Sequence, residues 1–427
     1  MTSLDRRSVA QGLGALLCAA ATRADARGLD GALTPGDGPP MASAGIIARR
    51  GDGRIAFRGA SGQASGPAGL RPFALDQPFR VASVSKMVAT AAFLPLARRK
   101  GLDLDGDASA LAGFRLRHPA HPEVAITPRM LLSHTGGLRN GKTYPVPLGH
   151  RLEEAFTPGG RHYDDGAWFG PADHAPGAWF AYADVNFALV AQMLERAAGE
   201  RFDLHVRRVL FQPLGLDIGF NWSGVSQPKR DRAAPGLHHI GGRWVAQVDA
   251  SVPTYPTLPF TRPADAPDLT EADYRIGENG FVFSPQGGLR LSLNDMDRLA
   301  LMFAGHGQGI VPRAALEAMQ QHTWTFDPAS PNGETDNGLL QSYGLGCEAP
   351  VGRSGPAGDS FFGEGSGDWR GHFGDAYGWI TGLFWNRRNG RTLVYAINGM
   401  PETDRPRARG SSLTAPEEAL IALAFGA

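Results

Sequence analysis

The run from Val84 to Ala97, VSKMVATAAFLPLA, is apolar or small on nearly every side of any helix it forms and carries one charge, Lys86. A helix without a polar face has to be enclosed, so the rest of the chain must supply layers around it. Pro95 is expected to kink or shorten its last turn, and Gly101 to end it. The enclosed lysine is unusual here. Only four lysines (Lys86, Lys100, Lys142, Lys229) occur among 42 Lys and Arg residues, leaving 38 arginines. Burial lowers a lysine pKa from its reference of about 10.4 toward the range where the amine accepts a proton.

The enclosing layers are legible at both ends of the chain. Residues 42–62 hold two short β-prone runs about Gly51-Asp52-Gly53, a hairpin signal, and YGWITGLFWNRR and RTLVYAING are two more about Asn389-Gly390. A closing helix follows the capping box Thr414-x-x-Glu417. Between them, Thr127-Pro128 opens a short helix stopped by Gly136-Gly137, and a longer helix runs from Asp184 to Gly199. Strands first, helices in the middle, strands and a helix last predict an α+β fold: one sheet built from both chain ends, with a helical insertion. The stretches 139–175 and 221–284 are rich in glycine, proline and aromatics with little periodicity, as loops that shape a site are.

Ser83 precedes Lys86 by three residues, so a helix beginning there puts both side chains on one face, roughly 5–6 Å apart at Cβ. A serine hydroxyl beside a neutral amine is a usable nucleophile, and the N–H groups at a helix start point at an oxyanion formed on that serine. The residues also fit a plain N-cap serine with a snorkelling lysine, and composition leaves both open. A second Ser-x-x-Lys, Ser226 to Lys229, contains Pro228 and is flanked by Arg230 and Arg232. It reads as solvated loop.

Further motifs extend the pattern: FRVASVSKMVATAAF, LLSHTGGL, PGAWFAYADVNFALVAQMLE, FQPLGL, FSPQGGLRLSLNDMDRLALMF, SYGLG and GHFGDAYGWITGLFW. In content and order, from about residue 42 to the end, they resemble the serine β-lactamase-related, penicillin-binding-protein-like hydrolases, which include class C β-lactamases, D-alanyl-D-alanine carboxypeptidases, D-aminopeptidases and esterases. The resemblance implies a β-lactamase/transpeptidase-like fold, an antiparallel sheet flanked by helices plus a mostly helical domain, with the cleft between them. The sheet part would span about 41–100 and 285–427, and the helical part about 101–284. It implies Ser83 as nucleophile, with Lys86 and Tyr182 sharing proton transfer. Asp184, where the family carries an asparagine, would bond Lys86 and cap the following helix, but lacks the amide donor that holds a substrate carbonyl. His372-Phe373-Gly374 stands for the family's third element. His372 would face the substrate and, being mostly neutral, attract a carboxylate weakly. Gly374 would let the substrate backbone approach, and the N–H of Asp375 would be the second oxyanion donor. The His-x-Gly form resembles esterase-type and D-aminopeptidase-type members more than efficient β-lactamases.

The expected function is therefore hydrolysis of an ester or amide through an acyl-enzyme, without cofactor or metal. The alternatives are a D-alanyl-D-alanine carboxypeptidase or β-lactamase, and a penicillin-binding sensor that acylates without turnover. His134 is expected to be structural. The pairs His118/His121 and His238/His239 lie in Pro/Gly-rich stretches without a third ligand and read as exposed histidines rather than zinc sites. Lys+Arg and Asp+Glu balance at 42 each, which points to a small-molecule ester, amide or peptide rather than nucleic acid. Arg6-Arg7, the uncharged stretch Val9 to Ala21 and Ala24-Asp25-Ala26 have the layout of an export signal over 1–26, resembling the twin-arginine type. A linker at 27–40 would follow, giving a periplasmic or secreted protein. Cys18 lies in that signal without a lipoprotein cleavage context, so no stable membrane anchor is expected, and Cys347 would be left without an internal partner.

Overall fold

A computed structural model describes residues 29–425, apart from 32, 34–39, 67–68, 247–273, 307–308, 364 and 402–404. The expected signal at 1–26 lies outside the described residues. The elements that position the site are β1 (Ser43–Arg49), β2 (Ile55–Gly66), β3 (Gly69–Pro72), α1 (Val84–Lys100), α2 (Pro128–Leu132), α3 (Val185–Ala198), α4 (Leu293–Leu301), β4 (Trp369–Ala376), β5 (Trp379–Asn386), β6 (Thr392–Asn398) and α5 (Ala415–Phe425).

The six strands form one antiparallel sheet in the order β4-β5-β6-β1-β2-β3. Its two halves come from opposite ends of the chain and join where β1 pairs with β6, from Ser43 opposite Asn398 to Arg49 opposite Thr392. Both faces are covered. Along β6, Val394 and Ala396 enter one apolar core while Leu393, Tyr395 and Ile397 enter the other. This is the period-two alternation of a strand with no wet side. The first core holds α1, α3 and α4; the second is closed by α5. Leu29 and Leu33, within the stretch read as a linker, are buried in that second core, and Met41 N–H donates to Leu33 O at 2.8 Å. The chain is therefore already packed before residue 40.

The enclosed helix is α1, and no residue from Val84 to Leu94 is exposed. Pro95 does not end it: the helix continues three residues further than the apolar run, to Lys100, and Gly101 caps it in the left-handed conformation. Surrounding core packing outweighs the one hydrogen bond the proline removes. Conversely α2 ends at Leu132, before the predicted glycine stop, because His134 turns into the left-handed region at φ 57°. The stretch 221–284 is less featureless than expected. It contains a helical turn at Gln227–Arg230 and a hairpin, Leu237–Ile240 with Arg243–Ala246, that carries His238 and His239. Pro228 sits in the first turn of that short helix, where its missing N–H costs nothing.

Candidate active site

The turn into α1 is held from two sides. Val81 donates to Leu289 O at 3.2 Å and its carbonyl accepts from Thr381 Oγ1 at 2.9 Å, on β5. Ala82 then adopts φ 48°, a left-handed conformation that costs a non-glycine residue roughly 1–2 kcal/mol. The turn places Ser83 at the head of the helix, on the wall of a cavity of about 540 Å³.

Lys86 is fully buried, 0% exposed. Its Nζ lies 2.9 Å from Ser83 Oγ, 2.8 Å from Asp184 Oδ1 and 2.9 Å from the Gln286 carbonyl. The set serves both protonation states: an ammonium donates to all three, while an amine donates to Asp184 and Gln286 and accepts the proton of Ser83. Burial lowers the Lys86 pKa, and the adjacent Asp184 charge works against that shift. Tyr182 lines the same cavity as Ser83, and its ring centroid lies 4.7 Å from Lys86 Nζ. Burial, reinforced by the charge of Asp184, holds its phenol well above the usual range. Tyr182 keeps its proton at neutral pH.

Asp184 does not cap α3. It has helical dihedrals and makes no capping bond. Its second oxygen, Oδ2, accepts from Tyr144 Oη at 2.9 Å, so both oxygens are committed, and the first amide of α3, Val185 N–H, donates to Asn140 Oδ1 at 3.1 Å instead. Tyr144 in turn accepts from Gln286 Nε2 at 3.2 Å. Neither Tyr144 nor Gln286 was legible as part of the site, although Tyr144 follows Lys142-Thr143 and Gln286 lies in the FSPQGG motif. His134 takes the structural part expected of it. Its Nδ1 accepts from Ala183 N–H at 3.2 Å and Asn186 Nδ2 at 3.0 Å, and its ring lies 4.3 Å from that of Tyr182.

His372 is on the cavity wall but does not offer a nitrogen to it. The residue is 1% exposed; Nδ1 faces Phe373 O at 2.5 Å and Glu348 Oε1 at 3.2 Å, and Nε2 is 2.8 Å from Tyr343 Oη. A ring nitrogen facing a carbonyl carries the proton, so Nε2 accepts from Tyr343. Burial, then the Lys86 charge, push the His372 pKa down to about 3, and burial holds Glu348 well above the carboxylate range. Nδ1 donates to the Phe373 carbonyl, and His372 stands neutral beside Glu348. His372 thus lines the cavity expected of it, with both nitrogens used inside the protein, where the ring positions β4 and Tyr343.

Gly374 is required by packing within the protein. A Cβ there would lie 2.2 Å from Val81 O and 2.3 Å from Thr381 Oγ1. The missing side chain lets β4 press against the turn that presents Ser83. On this edge strand the amides of Gly371 and Phe373 point away from β5, to Glu348 O at 3.2 Å and Glu348 Oε1 at 3.2 Å. By period two the amide of Asp375 points the same way, and Asp375 lines the cavity. Its carboxylate is paired with Arg405. Of the remaining histidine readings, His118 is buried, bonded to Gly170 O and Ala120 N–H, not exposed.

The Beta-lactamase family model matches residues 39–413. Among curated proteins, Esterase EstB of Burkholderia gladioli is 33% identical over 185 residues, which cover 41% of this chain and 46% of the esterase. The chain thus spans about half the length of that relative. Among solved structures, EstCE1, described as a hydrolase with promiscuous acyltransferase activity, superposes with a TM-score of 0.63 at 20% identity, covering 94% of this chain and 98% of the other. The D-amino acid amidase from Ochrobactrum anthropi SV3, complexed with L-phenylalanine amide, superposes with a TM-score of 0.62 at 16% identity, covering 94% and 97%. At these identities the superpositions establish a shared fold.

Proposed function

The chain belongs to the Beta-lactamase family, and from that premise we propose that it is a serine hydrolase cleaving ester or amide bonds through an acyl-enzyme on Ser83. One observation carries the proposal: Ser83 Oγ stands 2.9 Å from the amine of a lysine that is fully buried and held by Asp184 and Gln286. Lys86 takes the hydroxyl proton as Ser83 attacks the carbonyl. The amides of Ser83 and Asp375 flank the oxyanion. Tyr182, on the cavity wall with Ser83, passes the proton to the leaving group, and water then repeats the sequence against the acyl-serine.

The charges on the lining are largely paired: Asp184 with Lys86, Glu334 with Arg139 and Asp375 with Arg405, leaving Asp336 and Arg407 of opposite sign. His372, being neutral, supplies no cation for a substrate carboxylate. Neutral esters and amides are therefore proposed over D-alanyl-D-alanine peptides and penicillins, in line with the esterase relative. The test is hydrolysis of p-nitrophenyl acetate and a D-amino-acid amide beside a D-alanyl-D-alanine peptide. Turnover of the first two that vanishes in Ser83→Ala supports the reading; turnover that survives the substitution removes it. We further propose export through residues 1–26, which carry the signal pattern; fractionation with intact-mass measurement of the mature chain tests that cleavage.

A further inference from the structure

Outside the cavity, the stretch 139–175 folds back on itself and brings His150, Glu154 and His162 together. One potential ligand atom from each lies within 4.8 Å of the others. We propose that these three side chains form a binding site for one divalent transition-metal ion, zinc above others, which braces this loop.

Two imidazoles and one carboxylate are a donor set that suits zinc, with a fourth position left for water. His150 Nδ1 and His162 Nε2 are 2.6 Å apart, so one ring must hand the other a proton. An ion takes the place of that shared proton. Two nitrogens on one tetrahedral zinc at about 2.0–2.1 Å stand roughly 3.3 Å apart, so the rings need to open by under about 1 Å. The surrounding backbone is already fixed. Asn279 Nδ2 donates to the His150 carbonyl at 3.0 Å, and Leu152 N–H to Glu278 O at 2.8 Å. The buried Trp168 donates through Nε1 to the His162 carbonyl at 2.6 Å. Glu154 lies in the helical turn Leu152–Ala155, whose backbone packs on Gly160 so tightly that a Cβ there would meet Glu154 O at 2.3 Å. His150 and Glu154 are half-buried, which leaves the ion an entry path, while His162 is buried beneath them. The pair His118 and His121 has its Nε2 atoms bonded to the carbonyls of Gly170 and Ala172 and lacks such a set.

A metal here would tie together the two ends of segment 150–162. The same loop carries Asn140, which serves the first turn of α3, and Tyr144, which holds Asp184. The ion would thus stiffen one wall of the cavity without touching it. This inference stands independently of the hydrolase reading.

The test uses the full, untagged chain, stripped with chelator and titrated with zinc chloride by calorimetry, with metal content and thermal melting measured in parallel. The expected result is one zinc per chain, a Kd on the order of 1 μM or below, and a rise in Tm of a few degrees. Glu154→Gln should weaken binding at least tenfold and His150→Ala should abolish the stoichiometric site, while His239→Ala should bind as the parent does. Both ligand variants alter half-buried side chains, so neither depends on replacing the buried His162. Absence of stoichiometric zinc in the parent chain, or unchanged binding in both ligand variants, would overturn the site.

Discussion

The chain contains Ser-x-x-Lys twice on described helices, and the two copies differ in burial and in what the serine faces. At Ser83 and Lys86 the side chains face each other at 2.9 Å, and the lysine is fully buried. At Ser226 and Lys229 they turn to different partners. Ser226 Oγ donates to Asp217 Oδ2 at 2.5 Å, and Lys229 Nζ donates to Asp295 Oδ2 at 2.6 Å with its side chain 17% exposed. Both lysines have a carboxylate partner, so an ion pair does not distinguish them. What distinguishes them is desolvation: burial pulls the Lys86 pKa down against the pull of Asp184. A helix with no polar face is what turns three-residue spacing into chemistry.

The sharpest way to break the comparison is to delete the two serines separately. Ser83→Ala should lower kcat/KM for an activated ester by roughly 10⁴-fold or more, whereas Ser226→Ala should leave it unchanged. Equal effects at both positions would erase the distinction. Next in size is Gly374→Ala, which pushes β4 off the Val81–Ser83 turn; overpacking of this kind costs about 1–3 kcal/mol. A lower denaturation midpoint together with a reduced kcat is expected, and an unchanged kcat would mean that the β4 contact does not set the nucleophile.

Asp184→Asn sharpens the electrostatic half. Lys86 must be neutral to accept the Ser83 proton, so activity is present above its folded pKa and lost as pH falls through it. Asp184 raises that pKa against burial, and removing its charge should move the acidic limb of the kcat/KM profile to lower pH. A limb that stays put or moves upward in the pH profile contradicts the assignment of Lys86 as base. The smallest effect belongs to Tyr144→Phe, which removes one hydrogen bond to Asp184 Oδ2. A loss of about 1 kcal/mol, near fivefold in kcat, is expected from steady-state kinetics.

Much of this arrangement was legible before any coordinates. The apolar run named the enclosed helix, the turns at 51–53 and 389–390 marked hairpins at both ends of one sheet, and the motif order brought Ser83, Tyr182, Asp184 and His372 to one cavity with Lys86 buried against Ser83. The details that failed are those set by tertiary partners. Asp184 reads as a helix cap from its position, but a buried amine and a phenol claim both its oxygens. His372 reads as a substrate contact from its motif, and no spacing rule reports that the Phe373 carbonyl and Tyr343 of SYGLG take up its nitrogens. Tyr144 and the group His150, Glu154 and His162 sit in a loop without periodicity. No spacing rule reports which of its side chains meet. Pro95 shows the converse, since the shortening expected of the last turn is overridden by core packing.

The central claim is that Ser83, activated by Lys86, becomes covalently acylated. Rapid quenching of the chain with a slowly released activated ester, followed by intact-mass analysis and peptide mapping, measures this directly. A single acyl increment is expected to appear before steady state, to map to the peptide containing Ser83 and to be absent from Lys86→Met. An increment that maps elsewhere, or turnover with no covalent species under conditions where deacylation is limiting, would contradict it.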